Sequence, residues 1–417
     1  MRNSSRKPST LLLALFFVGS GFSALAYQVI LSRYAQLIVG ATAFAVSALL
    51  TAFMLGMSLG AAAGGRLADR TRHPLRVYAL AEGAIGLYCL SFPLLFPWLQ
   101  ELYLALVPEI GASPVLARNG VRFLLGVSAF LLPTFFMGLT TPAFARAVAS
   151  EREDSGAWLA RLYGWNTLGA ALGALTTAYV LVPLLGLTGS MFLATTINFG
   201  IALLAYRSSS PVKDGRAAPD EVFRAVEDEK PRDAAIPLRW IGVAAVILLI
   251  AGALDWAVAG VDPFGAVLGF LYRRSLPLAA ALFFALAAIL SIRVRGASRG
   301  ATLAVFLIAS FASGYLSFAL EIIWTHLLAI LLGNSVYAFG LMLGSLLLGL
   351  AIGTLFARKL AAPSARARNW IGLSLALAGL SILATLPLWD QIPGVFLLLA
   401  DREPSFALME GVRFIVA

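Results

Sequence analysis

The chain has 417 residues, of which 60% are apolar and 12% charged, with a formal net charge of +10 and a mean hydropathy of +0.88. A soluble domain carries about 25% charged residues. A chain this apolar cannot present a wettable surface, so lipid is the solvent its composition demands. The basic excess is not a nucleic-acid footprint, because Lys and Arg sit in short clusters between apolar runs. That is the pattern that orients membrane helices. Cys89 is the only cysteine, which excludes a disulfide framework and a cysteine-based metal site.

The N-terminus imitates a signal peptide, with a basic start, the apolar run LLLALFFV and the small-residue stretch Ala24-Leu25-Ala26. Removal is not expected, because the same segment recurs deep inside the chain. Apolar runs then predict helices near 11–39, 43–65, 75–97, 117–147, 160–183 and 186–206. Pro133 and Pro142 are expected to kink the fourth. A polar stretch at 208–239 follows, then two linking spans near 240–258 and 276–293. Further spans are expected near 301–332, 336–357 and 370–388, and a last one begins near Gly411. The segment Pro97 to Tyr103 and its counterpart Leu388 to Gln391 read as short aromatic helices lying in the membrane interface.

Basic clusters follow the second, fourth, sixth, eighth and tenth spans, and Arg2, Arg6 and Lys7 precede the first. All fall on one side if the N-terminus is cytoplasmic. Arg273 and Arg274 run against the rule. A multi-pass membrane protein with its N-terminus cytoplasmic is the expectation.

An internal repeat is the most informative feature. SGFSALAYQVILSRYAQLIVGATAFA from Ser20 aligns without a gap on SGYLSFALEIIWTHLLAILLGNSVYA from Ser313, at an offset of 293. The match continues from Gly56 to Gly349 and from Gly60 to Gly353, and Gly120-Val121-Arg122-Phe123 pairs with Gly411-Val412-Arg413-Phe414. Eight spans separate the two starts, so both copies face the same way, as the halves of major facilitator transporters do. The expected fold is an all-α polytopic bundle of major-facilitator type with two parallel pseudo-repeats. The domains expected are a first repeat at 1–207, a cytoplasmic loop at 208–239, two linking helices at 240–300 and a second repeat at 301–417. The second copy stops at Ala417, inside the helix equivalent to the fourth span, so a longer parent chain is expected.

The stretch LGMSLGAAAGGRLADRTRHP raises the question of a phosphate cradle. Gly56, Gly60 and Gly64 are spaced by four, which places them on one helix face, the small-xxx-small pattern of close helix packing in lipid. A Walker loop needs Gly-Lys-Ser/Thr, and a dinucleotide loop follows a strand; neither is present. Gly349 and Gly353 repeat the spacing. The continuation Gly65-Arg66-Leu67-Ala68-Asp69-Arg70 resembles the loop motif between the second and third helices of major facilitator transporters. In that family its Asp and Arg latch a cytoplasmic gate. The residues after Arg70 depart from the motif, and a plain basic anchor at the headgroups explains the cluster equally well.

A narrower resemblance rests on several stretches in one order. They are Ser20 to Leu25 with Tyr27-Gln28, Phe53 to Gly56, Ala68-Asp69-Arg70 with Pro74-Leu75-Arg76, Leu132-Pro133-Thr134 with Met137-Gly138 and Thr141-Pro142, and Leu162-Tyr163 with Asn166 to Ala170. Together they resemble the membrane part of the bacterial fused major-facilitator/spermidine-synthase-like proteins. The resemblance covers roughly 11–206 well and the second repeat more weakly. It implies a polyamine aminopropyltransferase domain C-terminal to the membrane part. This chain lacks such a domain, and 208–239 is too short for a Rossmann-type fold.

An ionisable side chain at mid-bilayer costs about 2.5–3.5 kcal/mol on insertion scales. Glu321 lies well inside its span, with His326 five residues on, and Gln28 and Arg33 hold the matching positions of the first repeat. If the repeats pack about a pseudo-twofold axis, these four face one cavity, where Glu321 binds a cation and His326 relays a proton. Local packing contacts are the alternative. Asn166 joins the pathway or hydrogen-bonds across helices. Glu82 is expected to pair with Arg76 or Arg70, and Arg122 and Arg413 to snorkel to headgroups. No catalytic constellation, metal cluster or cofactor motif is expected. Lipid and a cationic small solute such as a polyamine are the expected partners. Two functions stand side by side: a transporter-like membrane domain, and an anchor or regulatory module for a synthase domain outside this chain.

Overall fold

In lipid every backbone polar group must find a partner within the chain, which leaves helices as the form these apolar runs take. The computed structural model describes residues 10–39, 43–109, 115–149, 155–211, 278–283, 299–332, 336–360 and 364–389, with isolated positions at 285, 391, 392, 394 and 412. The expected loop at 208–239, the first linking span, most of the second, and the helix near Gly411 therefore lie almost wholly outside the described residues. Helices are α1 (Thr10–Val39), α2 (Ala43–Arg70), α3 (Pro74–Glu109), α4 (Val115–Ala149), α5 (Ser155–Thr176) and α6 (Val182–Arg207), then α7 (Arg299–Leu332), α8 (Val336–Leu360) and α9 (Ser364–Trp389). Seven described segments are long and apolar enough to cross a membrane. This is an all-helical, multi-pass membrane protein.

One of those segments, Arg161–Arg207, has 47 residues. As a straight helix it would be about 70 Å long, more than twice the hydrocarbon core of about 30 Å. It turns at Gly186, whose φ of 70° and ψ of −179° interrupt the helix, so α5 and α6 are two spans. The turn is prepared upstream. Pro183 has no N–H to offer the carbonyl of Tyr179, and Thr177–Leu181 widens into a π turn in which the Val182 N–H reaches the Thr177 carbonyl. Only glycine adopts the backbone of Gly186 cheaply. Gly186→Ala is therefore expected to lower stability by about 1–3 kcal/mol, read as the thermal midpoint in detergent. Gly164→Ala, at a helical position where an added methyl meets nothing within 4 Å, is the matched control that should not lose stability.

Two local expectations need correction or a reason. The segment from Pro97 to Tyr103 is not a separate interfacial helix: α3 runs unbroken from Pro74 to Glu109, so these residues extend a span instead of lying across its end. Helix α4 likewise continues through Pro133 and Pro142. Pro133 leaves the carbonyl of Ala129 without its usual donor. The hydroxyl of Tyr88, from α3, donates to that carbonyl at 2.5 Å. A proline defect in one helix is thus repaired by a side chain of its neighbour.

Glycines set how close the helices come. A methyl at Gly60 would stand 1.9 Å from the Phe135 carbonyl oxygen, and one at Gly56 2.0 Å from Thr134 Oγ1. A methyl at Gly64, also on α2, would stand 2.8 Å from the Leu139 carbonyl oxygen, and from the other side one at Gly138 would stand 2.2 Å from that of Met57. Helices α2 and α4 are therefore in backbone contact along their length. The Thr134 hydroxyl lies in the same seam, 2.9 Å from the Ala52 carbonyl. Helices α1 and α5 form a second seam through Gly21, Gly169 and Gly173. At Gly349 and Gly353 an added methyl meets no described atom within 4 Å; α8 instead approaches Ala178 and Leu175 through Gly340 and Gly344. Toward one end of the first repeat, Phe17, Tyr78 and Phe144 stack in a buried core with Leu13, Phe16 and Leu162.

The chain forms two compact units. The first combines Met1–Ala217 with Asn334–Arg358, and the second combines Ala218–Gly333 with Lys359–Ala417. Helix α8 belongs to the first unit although the sequence repeat places it in the second copy.

Candidate functional site: a buried carboxylate at the meeting of three helices

Helix α3 carries Glu82 on the face it turns toward α1 and α6. The side chain is fully buried, at 0% exposure, and each carboxylate oxygen has a donor. Ser20 Oγ of α1 donates to Oε1 at 2.5 Å, and Asn198 Nδ2 of α6 donates to Oε2 at 2.8 Å. The same Nδ2 lies 3.4 Å from the Glu82 main-chain carbonyl. A layer of hydroxyls continues the network: Tyr27 OH is 3.3 Å from Thr195 Oγ1 and 3.4 Å from Asn198 Oδ1. One turn before Glu82, Tyr78 OH donates to the Phe16 carbonyl at 3.3 Å. Tyr27, Tyr78, Thr195 and Asn198 are buried, while Ser20 is half-buried at the rim.

This differs from the expectation that Glu82 pairs with Arg76 or Arg70. Its partners are Ser20 and Asn198, and Arg76 instead lies over the ring of Tyr206 at 5.3 Å. The reason is helical geometry. Arg76 and Glu82 are six residues apart, so they point to different faces, whereas Tyr78 and Glu82 share one. The sequence carried a faint signal in that Tyr-x-x-x-Glu spacing and in the Asn of TTIN at 195–198. Nothing in it announced that Ser20, 62 residues away, would meet them. The cluster is not copied in the second repeat, where Leu320 stands in the register of Tyr27.

The other predicted residues are distributed as follows. Gln28 is buried on α1, and Arg33, half-buried one to two turns on, donates to Gln36 Oε1 at 2.9 Å. Asn166 is half-buried on α5, with its carbonyl against Gly21 in the glycine seam. Glu321 is buried at 3% exposure on α7, where Thr325 Oγ1 donates to its main-chain carbonyl. The side chains of His326 and Arg122, and the whole of Arg413, lie outside the described residues. Gln28, Arg33 and Asn166 belong to the first unit, and Glu321 to the second. At the end of α2, Gly65 has open space beside it, Arg70 is exposed, and Asp69 forms an ion pair with Arg146 Nε of α4 at 3.8 Å. Asp69 is 74% exposed, and a pair this exposed contributes only about 0–1 kcal/mol. Among the described residues no group of His, Cys, Asp and Glu is arranged to hold a metal ion.

No protein-family model matches the chain. No curated protein matches it significantly. Among solved structures, one similar chain is a POT family transporter, PepTSo, with a TM-score of 0.37 and 13% identity over 97% of this chain and 94% of that one.

Proposed function

We propose that this chain is the transporter-like membrane domain of a spermidine-synthase-like protein, set in a bacterial inner membrane with its N-terminus cytoplasmic, and that it handles a cationic small solute of the polyamine type. The observation that carries the reading is Glu321, a carboxylate at 3% exposure inside an apolar span. Placing it there costs about 2.5–3.5 kcal/mol, a cost that a bound cationic solute would offset. Gln28, Arg33, Asn166 and His326 are its proposed companions on that path, and Gly65, Asp69 and Arg70 the proposed cytoplasmic gate. The sequence repeat and the resemblance to the fused family support the same reading.

The test is uptake of labelled spermidine by proteoliposomes, with a membrane potential or a pH gradient imposed. The wild type is expected to accumulate solute, and Glu321→Gln to slow uptake at least tenfold while keeping its thermal midpoint. A wild-type protein that moves neither spermidine nor putrescine under either gradient would overturn the reading. The backbone-tight glycine seams of the first unit favour the second reading in that event, a rigid anchor or regulatory module for an aminopropyltransferase domain.

A further inference from the structure

Glu82 plays no part in the solute path proposed above, yet it is the most completely enclosed acid among the described residues. We infer that the Ser20–Glu82–Asn198 cluster is a proton-binding site of the first repeat, in which the Glu82 carboxyl takes a proton from water and returns it through the rim hydroxyl of Ser20.

The geometry supplies the argument. An ionised carboxylate taken out of water needs a cation or it neutralises. Among the described residues Glu82 is bonded to no cation. Its partners are a serine hydroxyl and an amide N–H, both neutral. The titratable groups that face it are Tyr78 on its own helix and Tyr27 on α1, with Cys89 of α3 beside Tyr27. Helix α6 presents only the neutral Thr195 and Asn198, and no charged group of α2 or α4 is bonded to the carboxyl among the described residues. None of these supplies a positive charge. A metal ion is poorly served in the same place, because Glu82 is the only carboxylate there and no group of His, Cys, Asp and Glu surrounds it among the described residues. A proton fits. On the acid form the carboxyl hydroxyl becomes a donor, and Ser20 Oγ turns from donor to acceptor by rotating its own hydrogen. Ser20 is half-buried while Glu82 is not exposed at all, so the serine is the most exposed member of the cluster and the one from which a proton can enter it.

The site stands on the cluster alone and does not depend on which solute, if any, the protein moves. Its test is therefore spectroscopic. Infrared difference spectra of the purified full chain in detergent, recorded between acidic and alkaline buffers, are compared for wild type, Glu82→Gln and Glu321→Gln. The expected result is a carboxylic-acid carbonyl band that shifts in heavy water, vanishes in Glu82→Gln and survives in Glu321→Gln. Ser20→Ala, which leaves the acid in place and removes one hydrogen bond, is expected to move that band without abolishing it. This arm keeps the test open if Glu82→Gln fails to fold. A spectrum in which neither substitution at the cluster changes any acid carbonyl band, at any pH from acid to alkaline, overturns the proposal. Transport can fail in the liposome assay while this band is present, and the reverse also holds, so the two readings fall separately.

Discussion

Gly60→Leu is expected to be the most damaging single substitution in the first repeat. Even the first carbon of the new side chain would stand 1.9 Å from the Phe135 carbonyl oxygen, 2.8 Å from its carbonyl carbon and 3.0 Å from the Leu139 nitrogen. These are main-chain atoms of a helix and cannot rotate aside. The whole of α4 must move away from α2, which also pulls Gly56 from Thr134 and Gly138 from Met57. Overpacking usually costs about 1–3 kcal/mol, and a clash against backbone belongs at or beyond the top of that range. We expect a loss of roughly 3 kcal/mol or more, seen as a lowered thermal midpoint and a shift to aggregate on gel filtration in detergent. Gly65→Leu is the control: it follows directly on Gly64 but points out of the seam, with nothing within 4 Å, and should change stability by about 0.5 kcal/mol or less. Equal behaviour of the two variants would contradict the backbone-contact description of this seam.

The second large effect is expected at Glu82→Ala. The substitution removes the acceptor shared by Ser20 and Asn198 and opens a void where α1, α3 and α6 meet. Leaving a buried donor without a partner costs about 1–3 kcal/mol, and the Asn198 amide is buried while Ser20 can still turn toward other acceptors. Its neighbours also lose packing around the missing carboxyl and methylenes. A total of about 2–4 kcal/mol is expected. Glu82→Gln keeps the volume and one acceptor oxygen and should cost clearly less. The check is chemical or thermal unfolding of both variants beside wild type in one detergent. Should Glu82→Ala prove as stable as wild type, the three-helix junction does not depend on this carboxyl.

The two results bear on what a sequence of this kind discloses. Span positions were legible because hydropathy acts locally: the expected break between 183 and 186 falls beside the turn at Gly186, where Pro183 and glycine stand close together. The crowding of small residues at Gly56, Gly60 and Gly64 marked the face that meets α4, since a four-residue spacing reads directly as one helix side. What was not legible is which helices meet. Ser20, Glu82 and Asn198 come from three spans, and a lone acid among alanines and glycines gives no sign of its distant donors. The nearest arginine in sequence was the natural partner to expect, and six residues of helical rotation removed it. Gly349 and Gly353 illustrate the converse limit. They keep the spacing of their first-repeat counterparts, yet a methyl added at either meets no described atom within 4 Å. Repeat symmetry transmits residue spacing more faithfully than it transmits neighbours.

The seating of Gly340 and Gly344 against Ala178 and Leu175 has a consequence for how the protein is made. The α5 surface leaves the ribosome roughly 160 residues before the helix that covers it. At about 5–20 residues per second this is an interval of roughly 8–30 s. During that time Ala174, Leu175 and Ala178 are without the α8 glycines that finally seat on them. The order of synthesis therefore makes this seam a late contact, formed only once α8 has been made. A glycine-faced helix suits such a late contact, because small residues let two backbones approach closely without rearranging side chains.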